Sequence, residues 1–320
     1  MTLTARRIHE ARRRIRGIAQ RTPLLHSPAL SAALPGEVFL KLESMQETGS
    51  FKLRGAVNRM AVLAPEERRR GVITVSTGNH GRAVAYAAHR MGIPAVVCLT
   101  DRVPEVKRRA IAALGAEIRI AGATQDEAEA AAHRIAEAEG RTMIHPFDDP
   151  LVIAGQGTVG LELLEDLPAL DTVVVPLSGG GLAGGIALAL ESADPGIRVV
   201  GVSMERGAAM YESIRAGSPV EVEEYETLAD CLSGGIGADN RYTLDLCRRL
   251  LDAVHLVSEA EIAEALRFLF REERLVAEGG AAVGVAALLS GKICPSPTDR
   301  TVVVISGRNI DPDRLLSVVG

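Results

Sequence analysis

The sequence predicts an α/β protein built from two parallel sheets, each covered by helices. Three observations carry that prediction. Short β-branched runs alternate with Ala- and Leu-rich helical stretches between residues 72 and 145. The same alternation resumes near residue 152 and runs to 305. Glycines cluster where a strand hands over to a helix, as backbone-lined loops require. The chain has 320 residues, enough for two domains. The break between the two series sets the expected division: residues 72–148 as a small domain, and 1–71 plus 149–320 as a large one.

Each element has its own signal. Ile8, Ala11, Ile15 and Ile18 recur at helical spacing among Arg6, Arg7, Arg12, Arg13, Arg14 and Arg16, which reads as an amphipathic helix with a solvated arginine face. No long apolar region follows, so no secretory signal is expected. Ser50 or Thr48 is the expected N-cap of a helix that carries Lys52 in its first turn. The first series then reads strand 72–75, helix 82–91, strand 95–99, and helix 104–114 with Pro104 near its start. Strand 117–120, helix 125–139 ended by Gly140, and strand 142–145 complete it. The second series reads helix 152–165, strand 172–177, a glycine loop, helix 183–191, strand 197–204 and helix 208–216. Helices 243–251, 261–271 and 281–289 precede a last strand, 301–305. A cleft between two such sheets is the expected ligand site.

Composition excludes several function classes. Apolar residues make up 47% and charged residues 24%, the balance of an ordinary globular chain. Every apolar run is well short of the ~18 residues that cross a bilayer, so no membrane partner is expected. Net charge is −5 with no large basic face, and the chain has five Phe, four Tyr and no Trp. Nucleic acid is therefore not an expected partner. Cys98, Cys231, Cys247 and Cys294 form no CxxC pair and read as reduced, mostly buried thiols of a cytoplasmic protein. Arginine supplies nearly all of the 36 basic residues; the lysines are Lys41, Lys52, Lys107 and Lys292. Lysine can lose its proton and act as a nucleophile, which arginine cannot.

Four constellations could carry chemistry. Ser178-Gly179-Gly180-Gly181-Leu182 follows a strand and opens a helix, so its N–H groups and the helix dipole favour a phosphate. Gly179, Gly181 and Gly184 also match G-x-G-x-x-G, and Glu205 follows at the distance of a ribose-binding acid, so a nicotinamide oxidoreductase stays open on this motif. Lys52 in Ser50-Phe51-Lys52-Leu53-Arg54-Gly55 opposes the dipole of its own helix, and a lysine with a lowered pKa or a covalent partner fits there better than a solvated one. Ser76-Thr77-Gly78-Asn79-His80-Gly81 offers hydroxyl, amide and free N–H groups at a helix start, suited to a carboxylate or phenolate. Ser306-Gly307-Arg308-Asn309 lies just past the final strand, where a serine could meet a ring nitrogen.

In combination and order these strings resemble the fold-type II pyridoxal-phosphate (PLP) enzymes, the threonine dehydratase and serine racemase family. Arg21-Thr-Pro-Leu-Leu25, Lys41-Leu-Glu43, His145-Pro-Phe-Asp-Asp-Pro150, Ile153-Ala-Gly-Gln-Gly-Thr158 and Glu278-Gly-Gly280 add to the resemblance, which spans nearly the whole chain. Within the family, Ser76-Thr-Gly-Asn-His-Gly-Arg82, Ser203-Met-Glu-Arg-Gly-Ala-Ala209 and Ser306-Gly-Arg-Asn309 look most like hydroxyectoine-utilization dehydratases. The resemblance implies the tryptophan synthase β-subunit-like fold, PLP as cofactor, a homodimer, and β-elimination from a 3-hydroxy amino acid or a hydroxyectoine-derived compound. Amino-acid racemisation is the alternative, and the end of the chain soon after Ser306 implies no regulatory extension. Lys52 would carry PLP and move protons at the substrate Cα. Phe51 would pack on the cofactor ring, and Asn79 would reach its ring oxygen. Ser178, Gly179, Gly180, Gly181 and Leu182 would hold its phosphate, Ser306 would meet its ring nitrogen, and Glu278 would line its site. Ser76, Asn79 and His80 would receive the substrate carboxylate. Thr77 would stand where a racemase carries the serine that reprotonates Cα. The segment after Glu205 has no second acid before Glu212, so no metal is expected there.

Overall fold

The computed structural model describes residues 3–76, 78–101, 103, 105–123 and 125–320. Its strands are β1 (Leu24–His26), β2 (Glu37–Lys41), β3 (Val72–Val75), β4 (Ala95–Leu99), β5 (Glu117–Ile120), β6 (Thr142–Met143), β7 (Thr172–Pro176), β8 (Arg198–Met204), β9 (Ala253–Val257) and β10 (Arg300–Val304). They form two sheets. One has six strands in the order β1-β2-β10-β7-β8-β9, parallel except for β1 against β2; the other has four parallel strands in the order β5-β4-β3-β6.

The central strands read as unbroken apolar runs because both faces are covered: every residue of β4 and β7 is buried. Helices Pro150–Asp166 and Gly181–Glu191 cover one face of the six-stranded sheet, and helix Gly279–Leu289 the other. Asp149 caps the first of these, accepting from the N–H groups of Leu151 and Val152, with Pro150 at the first helical position.

Helix Lys52–Ala61 lies between the sheets. Its Leu53, Ala56, Val57 and Met60 join the core of the four-stranded sheet, together with Val72, Ala83 and Val97. Its Arg54 faces the other way, into a buried charge cluster on helix Pro150–Asp166. Residues on both sides of the expected division at 72 therefore share the small-sheet core. The expected Ser50 or Thr48 cap is not formed: Phe51 stands at the cap position and makes no side-chain capping bond. Ser50 Oγ and Thr48 Oγ1 are buried without a hydrogen-bond partner among the described residues.

The N-terminal helix Ala5–Arg14 buries Ile8 and Ala11, as its spacing predicts. Helix 82–91 instead begins at Asn79, so the Gly-Asn-His-Gly string supplies its first turn. Two thiols are more open than expected: Cys98 and Cys247 are buried, Cys231 and Cys294 are exposed, and all four are free.

Candidate active site

The site forms where the two sheets present the carboxyl ends of their strands. Because β10 pairs with β7, the loops that follow them lie side by side. A bridge between Ser50 and Gly307 brings in the start of the Lys52 helix, and Phe51 N–H donates to Ser306 O at 3.1 Å. The loop after β3 brings Ser76, Gly78 and Asn79 to the same cleft. Open parallel sheets bind ligands at this edge, where loops diverge around the strand ends.

The glycine loop is shaped by its neighbours. A Cβ on Gly179 would lie 2.4 Å from the Phe147 ring, so only glycine fits under that ring. Gly180 has φ +82°, and a Cβ there would meet Cys247 Sγ and Met210 Cε at 2.8 Å. Gly181 opens helix Gly181–Glu191, whose first intrahelical partner is Gly184 N–H on Gly180 O at 2.8 Å. The N–H groups of Gly179, Gly180, Gly181 and Leu182 make no hydrogen bond to the described residues. Four unpaired donors at the positive end of a helix form an anion cradle.

Lys52 is the first residue of its helix. Its Nζ donates to Pro146 O at 2.8 Å and stands 5.3 Å from the centre of the Phe51 ring. Burial among protein atoms lowers its pKa to about 8, against the opposing pull of Cys231 and Glu278. The amine is thus far more available as a neutral nucleophile than a solvated lysine.

Glu278 stands at the N-cap position of helix Gly279–Leu289 in the same cleft and makes no side-chain capping bond. Burial pushes its carboxyl up to about 7, and it accepts from Asn79 Nδ2 at 2.7 Å. Cys231, which nothing local in the sequence places here, lies beside it; the residue is open to the cleft as a whole, but desolvation of its thiol, and next the Glu278 charge, hold that thiol well above the ordinary range. A Cβ on Gly280 would come 2.3 Å from Cys231 Sγ. Asn309 also joins, donating to Asn79 Oδ1. Phe147 over the glycine loop is a third addition. Its string is in the sequence, but nothing local shows that the ring folds back over Gly179. Ser306 is 3% exposed, and its hydroxyl makes no hydrogen bond to the described residues.

The His80 ring is fixed by contacts of its own. Ile144 O can only accept, so His80 Nε2 carries the proton in their 2.9 Å bond. Nδ1 is then a bare lone pair, buried and unpartnered among the described residues. Burial, and next the Lys52 charge, lower the ring's pKa to about 3, so it stays neutral. A neutral ring with its only proton engaged cannot donate to a carboxylate; the groups free to do so are the main-chain N–H groups at the start of helix Asn79–Met91. Ser76 Oγ accepts from Gly78 N–H at 3.3 Å and stays within that loop. Thr77 lies outside the described residues.

Glu205 directly follows the last residue of β8. Its carboxylate faces Lys292 Nζ at 3.8 Å, and Lys292 also donates to Glu261 at 2.7 Å and Leu256 O at 2.9 Å. Among the described residues no group of three or more His, Cys, Asp or Glu side chains could hold a metal ion.

Residues 15–307 match the pyridoxal-phosphate dependent enzyme family. The chain belongs to that family and is a PLP-dependent enzyme of the fold-type II α/β class, which corrects the nicotinamide reading of Gly179, Gly181, Gly184 and Glu205. Among curated relatives, it is 52% identical over 309 residues to a provisionally named threonine dehydratase of Sinorhizobium fredii, covering 97% of this chain and 93% of that one. It is 43% identical over 317 residues to the L-threonine ammonia-lyase of Thermotoga maritima, covering 99% and 78%. Among solved structures, maize serine racemase superposes with a TM-score of 0.93 at 34% identity, covering 99% of this chain and 97% of that one.

Proposed function

We propose that this protein is a PLP-dependent dehydratase and ammonia-lyase that converts a 3-hydroxy amino acid of the threonine or serine class to a 2-oxo acid and ammonia. The observation that carries the reading is the pairing of Lys52 with the glycine cradle. A lysine whose pKa burial lowers faces the same cleft as four unpaired N–H donors at a helix start. That donor set fits a phosphorylated aldehyde: an amine to bond the aldehyde carbon, and a dianion site for the phosphate. The names of the ammonia-lyase and dehydratase relatives support the reaction class.

Bound PLP supplies a sink for the electron pair left at the substrate Cα when its proton is removed. Lys52 would hold the cofactor through its amine and then, once freed, take the Cα proton. Ser178, Gly179, Gly180, Gly181 and Leu182 would hold the phosphate, Phe51 would pack against the ring, and Asn79 would donate to the ring oxygen. Ser306 would face the ring nitrogen with a neutral hydroxyl. Because Ser306 is neutral and no carboxylate would stand there, this chain would not stabilise charge held at Cα and would favour prompt loss of the β-hydroxyl. Glu278 lines the site through Asn79. The substrate carboxylate would be received by Ser76 and by the N–H groups of Asn79 and His80. The resemblance gives Thr77 the role of the serine that reprotonates Cα in a racemase, and the stiff χ1 of threonine would make it a poor proton carrier. A hydroxyectoine-derived substrate stays within the proposal through the three strings that resemble those dehydratases.

The likeness to maize serine racemase favours racemisation as the second reading. We further propose a cytoplasmic homodimer whose two sheets are its two domains, with helix Lys52–Ala61 packed against both. No helix among the described residues is long and apolar enough to cross a membrane.

Borohydride reduction of the holoenzyme followed by peptide mass mapping tests the site. The reading expects the reduced cofactor on Lys52, and equal release of 2-oxo acid and ammonia from the unreduced enzyme. A label on Lys41, Lys107 or Lys292, or no oxo acid from any 3-hydroxy amino acid, would contradict it.

A further inference from the structure

We propose that Asn309 is a positioning residue that fixes the amide orientation of Asn79, so that Asn79 presents an N–H donor, not its carbonyl, to the cofactor's ring oxygen. The proposal rests on the role of Asn79 given above and adds a residue to which no role has been given.

One main-chain carbonyl sets the whole arrangement. Thr48 O can only accept, and it accepts from Asn309 Nδ2 at 2.9 Å. The nitrogen arm of Asn309 is thereby placed, and it also donates to Asn79 Oδ1 at 2.5 Å. A carboxamide carries oxygen on one arm and nitrogen on the other. The Asn79 nitrogen is therefore on its far arm, where it donates to Glu278 Oε1 at 2.7 Å. Turning Asn309 over would set its oxygen against Thr48 O. Turning Asn79 over would set its nitrogen against that of Asn309 and its oxygen against Glu278. Each link resists reversal because the next would oppose like with like.

Asn79 Nδ2 has two hydrogens. Glu278 takes one, and the other has no acceptor among the described residues. A ring oxygen bearing negative charge needs such a donor, and a charge-assisted bond of this kind is stronger than a neutral one. Asn309 is itself held in place. Gly49, at φ +77°, passes so close that a Cβ would lie 2.6 Å from Asn309 Oδ1. Arg308 N–H donates to Gly49 O at 2.9 Å. The 306–309 loop is thus docked on the segment that leads into Lys52.

A double-mutant cycle on cofactor affinity tests the proposal. Apoenzyme of the parent, Asn309→Asp, Asn79→Ala and the double variant would be titrated with PLP, and the visible band of each holoenzyme recorded. Asn309→Asp replaces a nitrogen by an oxygen at nearly constant volume, so Asn79 must turn over to satisfy it. We expect PLP affinity to fall about tenfold in Asn309→Asp, with a shifted visible band. In the Asn79→Ala background the same change should cost far less than tenfold, leaving only the loss of the donor to Thr48 O. An unchanged affinity and band in Asn309→Asp, or losses that multiply in the double variant, would overturn the proposal. If Asn309→Asp does not fold, Asn309→Ala is read in the same cycle by the same criterion. Asn79→Ala binding PLP as the parent does would contradict the ring-oxygen role of Asn79 itself, and the proposal with it.

Discussion

Lys52 concentrates the chemistry in one side chain, and its environment makes a definite prediction about pH. Burial lowers its pKa to about 8. The neutral amine is the form that attacks the cofactor aldehyde, so attachment of PLP to the apoenzyme should speed up as pH rises, with a midpoint near 8. A midpoint at the ordinary lysine value of 10.5, measured by stopped-flow absorbance, would contradict this. The folded amine also holds its proton less tightly than the unfolded one, so apoenzyme stability should rise with pH from about 8 to 10.5. Gly180 makes a second prediction at this scale. Its φ of +82° and the contacts of its absent Cβ with Cys247 and Met210 leave no room for a side chain. Gly180→Asp adds both a side chain and a negative charge among the N–H donors, and should weaken PLP binding at least about tenfold in equilibrium dialysis. Both residues were legible in the sequence. Lys52 stood out as a rare lysine at a helix start, and the glycine run followed a strand. The neutral state of His80, with its one proton committed to Ile144 O, was not legible, because it depends on a carbonyl 64 positions away.

The helix that carries Lys52 is held from below by charge. Arg54, fully buried, makes paired bonds to Glu43 at 2.7 and 2.8 Å and to Glu162 at 2.6 and 2.9 Å. Lys41 Nζ adds a contact to Glu162 at 2.8 Å, and Thr22 donates to Glu43. Two buried cations balance two buried carboxylates, and the Arg54 guanidinium holds the Glu43 carboxyl below its ordinary range against the effect of burial. Arg54→Met would strand Glu43 and Glu162 partly uncompensated. It should destabilise the fold by about 3–5 kcal/mol in denaturant titration and misplace Lys52 as well. A loss under about 1 kcal/mol would show the cluster is not needed. The sequence placed Lys41, Glu43 and Arg54 in recognisable strings but gave no sign that they meet Glu162. Other elements left weaker traces. Helix Pro65–Arg70 buries none of its residues, so it has no apolar period to read. Edge strand β9 is half-buried along most of its length and lacks the unbroken apolar run of β7.

At the scale of the whole molecule, two parallel sheets converge their strand ends on one cleft. The alternation of elements made both sheets readable, since covered parallel strands show as continuous apolar runs. Strand order was not readable: β10, last in the chain, inserts between β2 and β7. That insertion brings Ser306 and Asn309 to the glycine loop and the Lys52 helix, which a linear reading keeps some 130 to 250 residues apart. Lys292 places an ammonium beside Glu205, where a cation would otherwise balance the carboxylate. Chelator should therefore leave activity and melting temperature unchanged. A loss restored by Mg²⁺ would contradict that account.

Product partition decides between elimination and racemisation at a PLP site. Holoenzyme supplied with L-threonine or L-serine would be followed by chiral chromatography and 2-oxo acid assay on the same time course. Oxo acid and ammonia should form in equal amounts, with the opposite α-configuration appearing far more slowly. Accumulation of the Cα-inverted amino acid as fast as the oxo acid would contradict that and make the protein a racemase.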